Sequence, residues 1–154
     1  YRLANGSLQF YKGLGGYELI LDAGSTSTNT WYHVAITRSG TTTTLYLNGS
    51  SIDTGTDSAA YASQLLYINT GALSYFFGGL TDEVALWDSA LSASNISSIY
   101  NSGVPNDLSA LSPVNWWRMG DNDGGTGTTI TDQGSGSNDV TLVNGPTFSS
   151  SVPS

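Results

Sequence analysis

The chain has no cysteine, one methionine and one histidine in 154 residues. Without cysteine there are no disulfides, no thiolate zinc sites and no cysteine nucleophiles. A chain of this length does without such staples, because it can bury roughly 70% of its unfolded surface. Charge is scarce as well: 10% of residues are charged, with 12 acidic against 4 basic and a net charge of −8. Nucleic acids and anionic membranes both need Lys and Arg to neutralise phosphate, so neither is expected as a partner. No run approaches the ~18 apolar residues of a membrane span, so no membrane insertion is expected. Tyr1-Arg2-Leu3 lacks the basic and then apolar start of a signal peptide. It reads as the middle of a strand, as in a piece cut from a larger polypeptide.

What is present is Ser, Thr, Asn and Gly, with 11% aromatic residues. Short apolar or alternating runs recur between turn residues, which predicts an all-β fold. Asn5-Gly6, Asn48-Gly49 and Asn144-Gly145 supply the positive φ angles of type I′ hairpin turns. They predict pairing of Tyr1–Leu3 with Leu8–Tyr11, of Leu45–Leu47 with Ser50–Ile52, and of Val140–Val143 with Thr147–Phe148. Further strands are expected at Tyr17–Leu21, Trp31–Arg38, Leu65–Asn69, Gly79–Trp87 and Val114–Met119. Large residues alternate on both faces of Trp31–Thr37, so this strand is expected to be covered on both sides. One helix is expected, capped by Ser92, running from Ala93 to Tyr100 and ended by Gly103, with Ile96, Ile99 and Tyr100 as its apolar stripe.

Two blocks carry a family resemblance. Trp31-Tyr32-His33-Val34-Ala35-Ile36-Thr37 followed by Leu45-Tyr46-Leu47-Asn48-Gly49 resembles the W-x-H-V-A-x-T … L-Y-x-N-G core of laminin-G-like domains. Gly79 to Trp87, then Ala90-Leu91-Ser92 and Ile96 to Tyr100, resembles their closing strand and helix. The resemblance implies a concanavalin A-like antiparallel β-sandwich, or jelly roll, with one short helix. Trp117 to Asp121, Thr129 to Asp132 and Thr141 to Phe148 resemble the opening segment of the same family, which normally comes first. The division expected is therefore 1–103 for the middle and end of a sandwich, 104–113 for a connector, and 114–154 for an opening segment placed last. Three explanations stay open: a window from a tandem array, a rearranged domain, or strands supplied by a neighbouring subunit. Trp116-Trp117-Arg118-Met119-Gly120-Asp121 is similar to repeats in structural and tail proteins of aquatic bacteriophages.

Glycoside hydrolases of this fold carry E-x-D-x-x-E on one strand, which supplies nucleophile and acid from one face. Here the only glutamates are Glu18 and Glu83, on different expected strands. Asp82 and Glu83 are adjacent and point to opposite faces of a strand, so they make no dyad. Asp82 is expected as a structural acceptor and His33 as a packed strand histidine, and the chain is expected not to be an enzyme. For metal, Asp121-Asn122-Asp123-Gly124-Gly125 spaces hard oxygen ligands as Ca2+ prefers, with Asp132 on a second polar loop; the plainer reading is Asx turns in solvated loops. For glycan binding, exposed aromatics would stack on sugar faces. Tyr61, Tyr75, Phe76 and Phe77 are the candidates, against the plainer reading of a buried turn and strand. Trp31, Trp87, Trp116 and Trp117 are assigned to the core. Asn5-Gly6-Ser7, Asn48-Gly49-Ser50 and Asn95-Ile96-Ser97 match the N-glycosylation pattern, but two of them have a turn-forming reason of their own. The expected role is a lectin-like adhesion or recognition module at a virion surface or outside the cell. Its expected partners are a cell-surface glycan or neighbouring structural subunits within a larger assembly or repeat array. A purely architectural subunit is the second reading and a glycan hydrolase the third.

Overall fold

A computed structural model describes residues 6–12, 18–60, 66–71 and 75–154. The chain packs as two compact units that do not follow chain order. One is Tyr1–Gly78 with Ser89–Gly103; the other is Gly79–Asp88 with Val104–Ser154. Strands dominate the regular structure of both, every pairing among the described residues is antiparallel, and one α-helix is present among them.

The first unit contains β1 (Ser7–Lys12), β2 (Glu18–Ser25), β3 (Val34–Ser39), β4 (Thr42–Leu47), β5 (Ser50–Thr56), β6 (Thr70–Gly71) and β7 (Tyr75–Phe76). β3, β4 and β5 form a three-stranded sheet in that order, while β1 pairs with β2 and β6 with β7. The Asn48-Gly49 hairpin forms as expected: φ is +49° at Asn48 and +75° at Gly49, and Leu47 faces Ser50. Asn48 also holds the start of β3, since its Oδ1 accepts the His33 N–H and its own N–H donates to the His33 carbonyl. The Asn5-Gly6 pairing reaches residues 1–5, outside the described ones; β1 is paired with β2. The core holds Leu21, Thr43, Leu45, Tyr46 and Ile96. β5 can lie close to β2 because Gly55 has no side chain: a Cβ there would stand 2.8 Å from the Ile20 carbonyl oxygen.

The sheet departs from expectation at β3. Cross-strand partners share a face, which puts Val34 with Leu47 and Ile36 with Leu45. Leu45 is buried, whereas Val34 and Ile36 are 43% and 41% exposed. Among the described residues β3 stands at an edge of its sheet, and the face carrying Val34 and Ile36 is exposed while Ala35 and Thr37 on the other are half-buried.

The helix α1 (Ala93–Tyr100) follows the expected bounds. The Ser92 hydroxyl accepts the Asn95 N–H, satisfying one of the orphan donors of the first turn. The left-handed cap of α1 is Asn101, at φ +44°, two residues before Gly103. Asn tolerates that conformation because its short polar side chain bonds locally.

The second unit contains β8 (Val84–Leu86), β9 (Asn115–Trp117), β10 (Met119–Asn122), β11 (Thr129–Ile130) and β12 (Val140–Thr141). β8 pairs with β9, so the strand that resembles the family's closing strand lies against the segment that resembles its opening one. The contact continues through Val114 N–H to the Leu86 carbonyl and Trp87 Nε1–H to the Leu111 carbonyl, both at 2.9 Å. Both strands are shorter than expected because the left-handed conformation interrupts them, at Glu83 (φ +50°) and Met119 (φ +50°). β11 pairs with β12. Asn144-Gly145 does adopt two positive φ angles, but Thr147–Phe148 is not a strand, so that turn closes no hairpin. Leu108, Trp116, Trp117 and Ile130 form the core of this unit, with Pro113 buried beside them.

Candidate functional site

Asp132 organises the second unit. Its carboxylate accepts the Trp116 N–H (2.7 Å), the Gly134 N–H (2.8 Å), the Asn138 N–H (2.9 Å) and the Asn115 side-chain amide. Its own N–H donates to Asp139 Oδ1 at 3.0 Å. Burial alone would raise the Asp132 pKa; the bonds from Asn138, Trp116, Asn115 and Gly134 outweigh it and hold the carboxyl below its ordinary value. The loop can approach this closely because a Cβ on Gly134 would collide with the Val114 carbonyl.

This arrangement bears on calcium. The lone pairs of Asp132 meet N–H dipoles, which would repel a cation in the same place. Asp123 Oδ2 accepts the Thr131 N–H at 3.0 Å, and Asp121 Oδ2 pairs with Arg118 at 3.0 Å. The three carboxylates are thus engaged by N–H groups and by Arg118, and no group of three or more metal-ligating side chains is found among the described residues.

A second carboxylate, Glu83, faces β9. Its Oε2 accepts Trp116 Nε1–H at 2.6 Å and its Oε1 accepts Arg118 Nε–H at 2.9 Å. Arg118 also lies over the Trp116 ring, 5.2 Å from its centroid, within cation–π range. Burial works against the guanidinium charge, yet the Glu83 bond and the charges of Glu83, Asp121 and Asp82 raise its pKa above the ordinary value. Asp82 is half-buried and raised, first by that burial and then by the charge of Glu83; it accepts the Glu83 N–H as a local structural acceptor.

Arg118 and Trp116 open onto a cavity of about 400 Å3. The connector contributes Pro105, Asn106, Asp107 and Ser109; Asn122 and Gln133 complete the lining. Trp116 is the buried floor, 7% exposed, and the amide-bearing residues form an exposed rim. Asp107 is engaged by the Ser109 N–H, and the backbone and hydroxyl of Ser109 lower its pKa. Sequence reasoning missed this site, because its members lie in four separate stretches. The available signal was Arg118 itself, one of 4 basic residues, set inside an apolar strand.

The aromatic candidates lie in the first unit. Phe76 and Phe77 are 61% and 51% exposed, so the buried reading of this segment does not hold for them. Phe76 pairs with Thr70, and the Phe77 N–H bonds the Asn69 carbonyl at 2.9 Å. Neighbours along an extended chain point to opposite faces, so the two rings do not form one stacking platform. Tyr75 lies in β7, and Tyr61 falls outside the described residues. His33 packs 5.9 Å from the Tyr100 ring, and its Nδ1 is buried without a partner, with no serine or carboxylate bonded to it among the described residues.

The family model described as the concanavalin A-like lectin/glucanases superfamily, of laminin G type, matches residues 1–97. The chain belongs to this family. It is also similar to the crystal structure of residues 221–444 of an S-layer domain-containing protein from Clostridium thermocellum, with 26% identity over 62% of this chain and a TM-score of 0.37. The match covers 52% of that structure, so the chain spans about half its length. No curated protein matches.

Proposed function

We propose that the chain is a lectin-like recognition module without catalytic activity, displayed on a virion or outside the cell. The observation that carries this reading is the polar cavity over Trp116, where amides surround an indole and an arginine. Small-ligand sites are concave with convergent polar groups, and here polar side chains make up most of the lining, as a hydroxyl-rich ligand requires. Family membership supports the same reading, and the antiparallel sheets are taken as parts of a concanavalin-type sandwich. The phage-tail setting is supported by the wording of Trp116 to Asp121.

The absence of catalysis is proposed because Glu83 already receives bonds from Trp116 and Arg118, and its neighbour Asp82 accepts the Glu83 N–H. Calcium has no part in this reading. A glycan array probed with the full chain is expected to show binding that survives EDTA, with no turnover of the bound glycan. Release of reducing ends from any array glycan overturns the non-enzymatic reading. An architectural role is the second reading, favoured by the exposed Val34 and Ile36 on edge strand β3. Edge strands of this kind pair with further chains. Silence on the array, with regular assembly of the chain, selects it.

A further inference from the structure

We infer that the cavity over Trp116 takes a neutral saccharide and rejects anionic sugars, with Arg118 as a ligand donor held in place by Glu83. This rests on the lectin-like reading and names its ligand class and its selecting residues.

The first step is charge. Arg118 is the cation at the cavity, and it is matched by Glu83 at 2.9 Å and by Asp121 at 3.0 Å. Asp107 adds another negative charge to the lining. The local balance is therefore negative, and a carboxylated or sulfated sugar would enter against it. The carboxylates around the cavity already have partners within the protein. Glu83 is engaged by Trp116 and Arg118, Asp121 by Arg118, and Asp107 by Ser109.

The second step is what remains to bond a ligand. The side-chain amides of Asn122 and Gln133 have no hydrogen-bond partner among the described residues, and both stand on the rim. Arg118 uses Nε on Glu83 and one Nη2 bond on Asp121, which leaves further N–H donors. Amides both donate and accept, as sugar hydroxyls do. Pro105 and the Trp116 edge give apolar surface for the C–H face of a sugar ring. The volume of about 400 Å3 lies in the lower part of the ~300–1,000 Å3 range of ligand pockets, the size of a mono- or disaccharide.

The third step is Glu83. It fixes the guanidinium through Nε, leaving the opposite edge of the fork directed elsewhere, and it holds the Trp116 indole through Nε1. Glu83 is therefore a positioning residue. Its removal changes both the aim of Arg118 and the sign of the local charge.

The test uses the full chain on an array of neutral (hexose- and N-acetylhexosamine-terminated) and acidic (sialylated, uronic acid-terminated and sulfated) glycans, followed by titration of the best binder. Neutral glycans are expected to bind and acidic ones to be rejected. Gln133→Ala is expected to weaken binding about tenfold, the loss of one ligand hydrogen bond. Gln133→Lys is expected to admit acidic glycans, and it alters only an exposed rim position. Glu83→Gln is expected to lower the neutral-to-acidic affinity ratio, which a loss of folded protein alone would not change. Acidic glycans bound by the unaltered chain would overturn the ligand class and leave the lectin-like reading standing. Neutral binding that ignores both Gln133 variants would overturn the assignment to this cavity. An array silent for every glycan would overturn the lectin-like reading itself.

Discussion

At the scale of single residues, the acidic side chains of this protein mostly serve the backbone. Asp132 gathers backbone N–H groups in the second unit. In the first unit, Asp22 accepts from Ser7, Gln9 and the Gly24 N–H, and the Gln9 bond leads in lowering its pKa. Asp132→Asn turns an amide toward donors that need an acceptor, and is expected to cost about 1–3 kcal/mol, read as a lower denaturation midpoint at unchanged m-value. Asp132 has a depressed folded pKa, so its contribution is complete above the unfolded value of about 3.9 and is lost as pH falls through the folded one. Asp132→Asn is therefore expected to flatten the acid limb of a stability–pH curve. His33 is also depressed, by burial, so its neutral form is favoured in the fold. That contribution is complete above about pH 6.5 and declines as pH falls below it; His33→Phe is expected to remove the decline and the unpaired Nδ1 together. Spacing alone reads Asp121, Asp123 and Asp132 as candidate metal ligands. An aspartate in a glycine-rich loop looks the same in sequence whether its lone pairs meet a cation or N–H groups. The difference lies in the Val114–Trp116 backbone returning beside the loop, which no local pattern records.

Among the elements, those set by local chemistry were legible. The helix α1 and the Asn48-Gly49 hairpin each have cap or turn residues inside the segment that forms them. Gly49 has a second reason beyond its φ: a Cβ there would stand 2.9 Å from Tyr100 Cδ1. Gly49→Ala is expected to cost more than the roughly 1–2 kcal/mol of a left-handed alanine, because Tyr100 must also move. The three-stranded sheet offers a contrast between cross-strand partners. Leu45→Ala, at a position 1% exposed, is expected to cost about 2–5 kcal/mol. Ile36→Thr, across the sheet from it and 41% exposed, is expected to cost far less. Thermal or chemical denaturation of both variants checks the difference. Alternation along Trp31–Thr37 is visible in the sequence, but which face is covered depends on where β2 and α1 lie, so the covered-on-both-sides expectation does not hold at β3. The short β8 and β9 were read too long because apolar runs do not reveal a left-handed residue such as Glu83 or Met119.

On the scale of the whole molecule, sparse charge of one sign governs solution behaviour. With a net charge of −8 and a pI near 4.1, the chain is expected to stay dispersed at neutral pH and to self-associate as pH approaches 4.1; light scattering across that range checks this. The family was legible from two motif blocks, and residues 1–97 match its model. The pairing of β8 with β9 was foreshadowed only by the wording of the opening-like segment. The cavity over Trp116 was not legible, since it is assembled by tertiary return of the connector and two loops. That β8–β9 pairing also has a consequence in time. Glu83 bonds Trp116 and Arg118 across separations of 33 and 35 residues, with the helix of the other unit in between. During synthesis at ~5–20 residues per second, β8 leaves the ribosome seconds before β9 does. For that interval it is a strand with an unsatisfied edge. Chains made side by side on one messenger therefore have a window in which the opening-like segment of one can close the strand of another, before each can close its own.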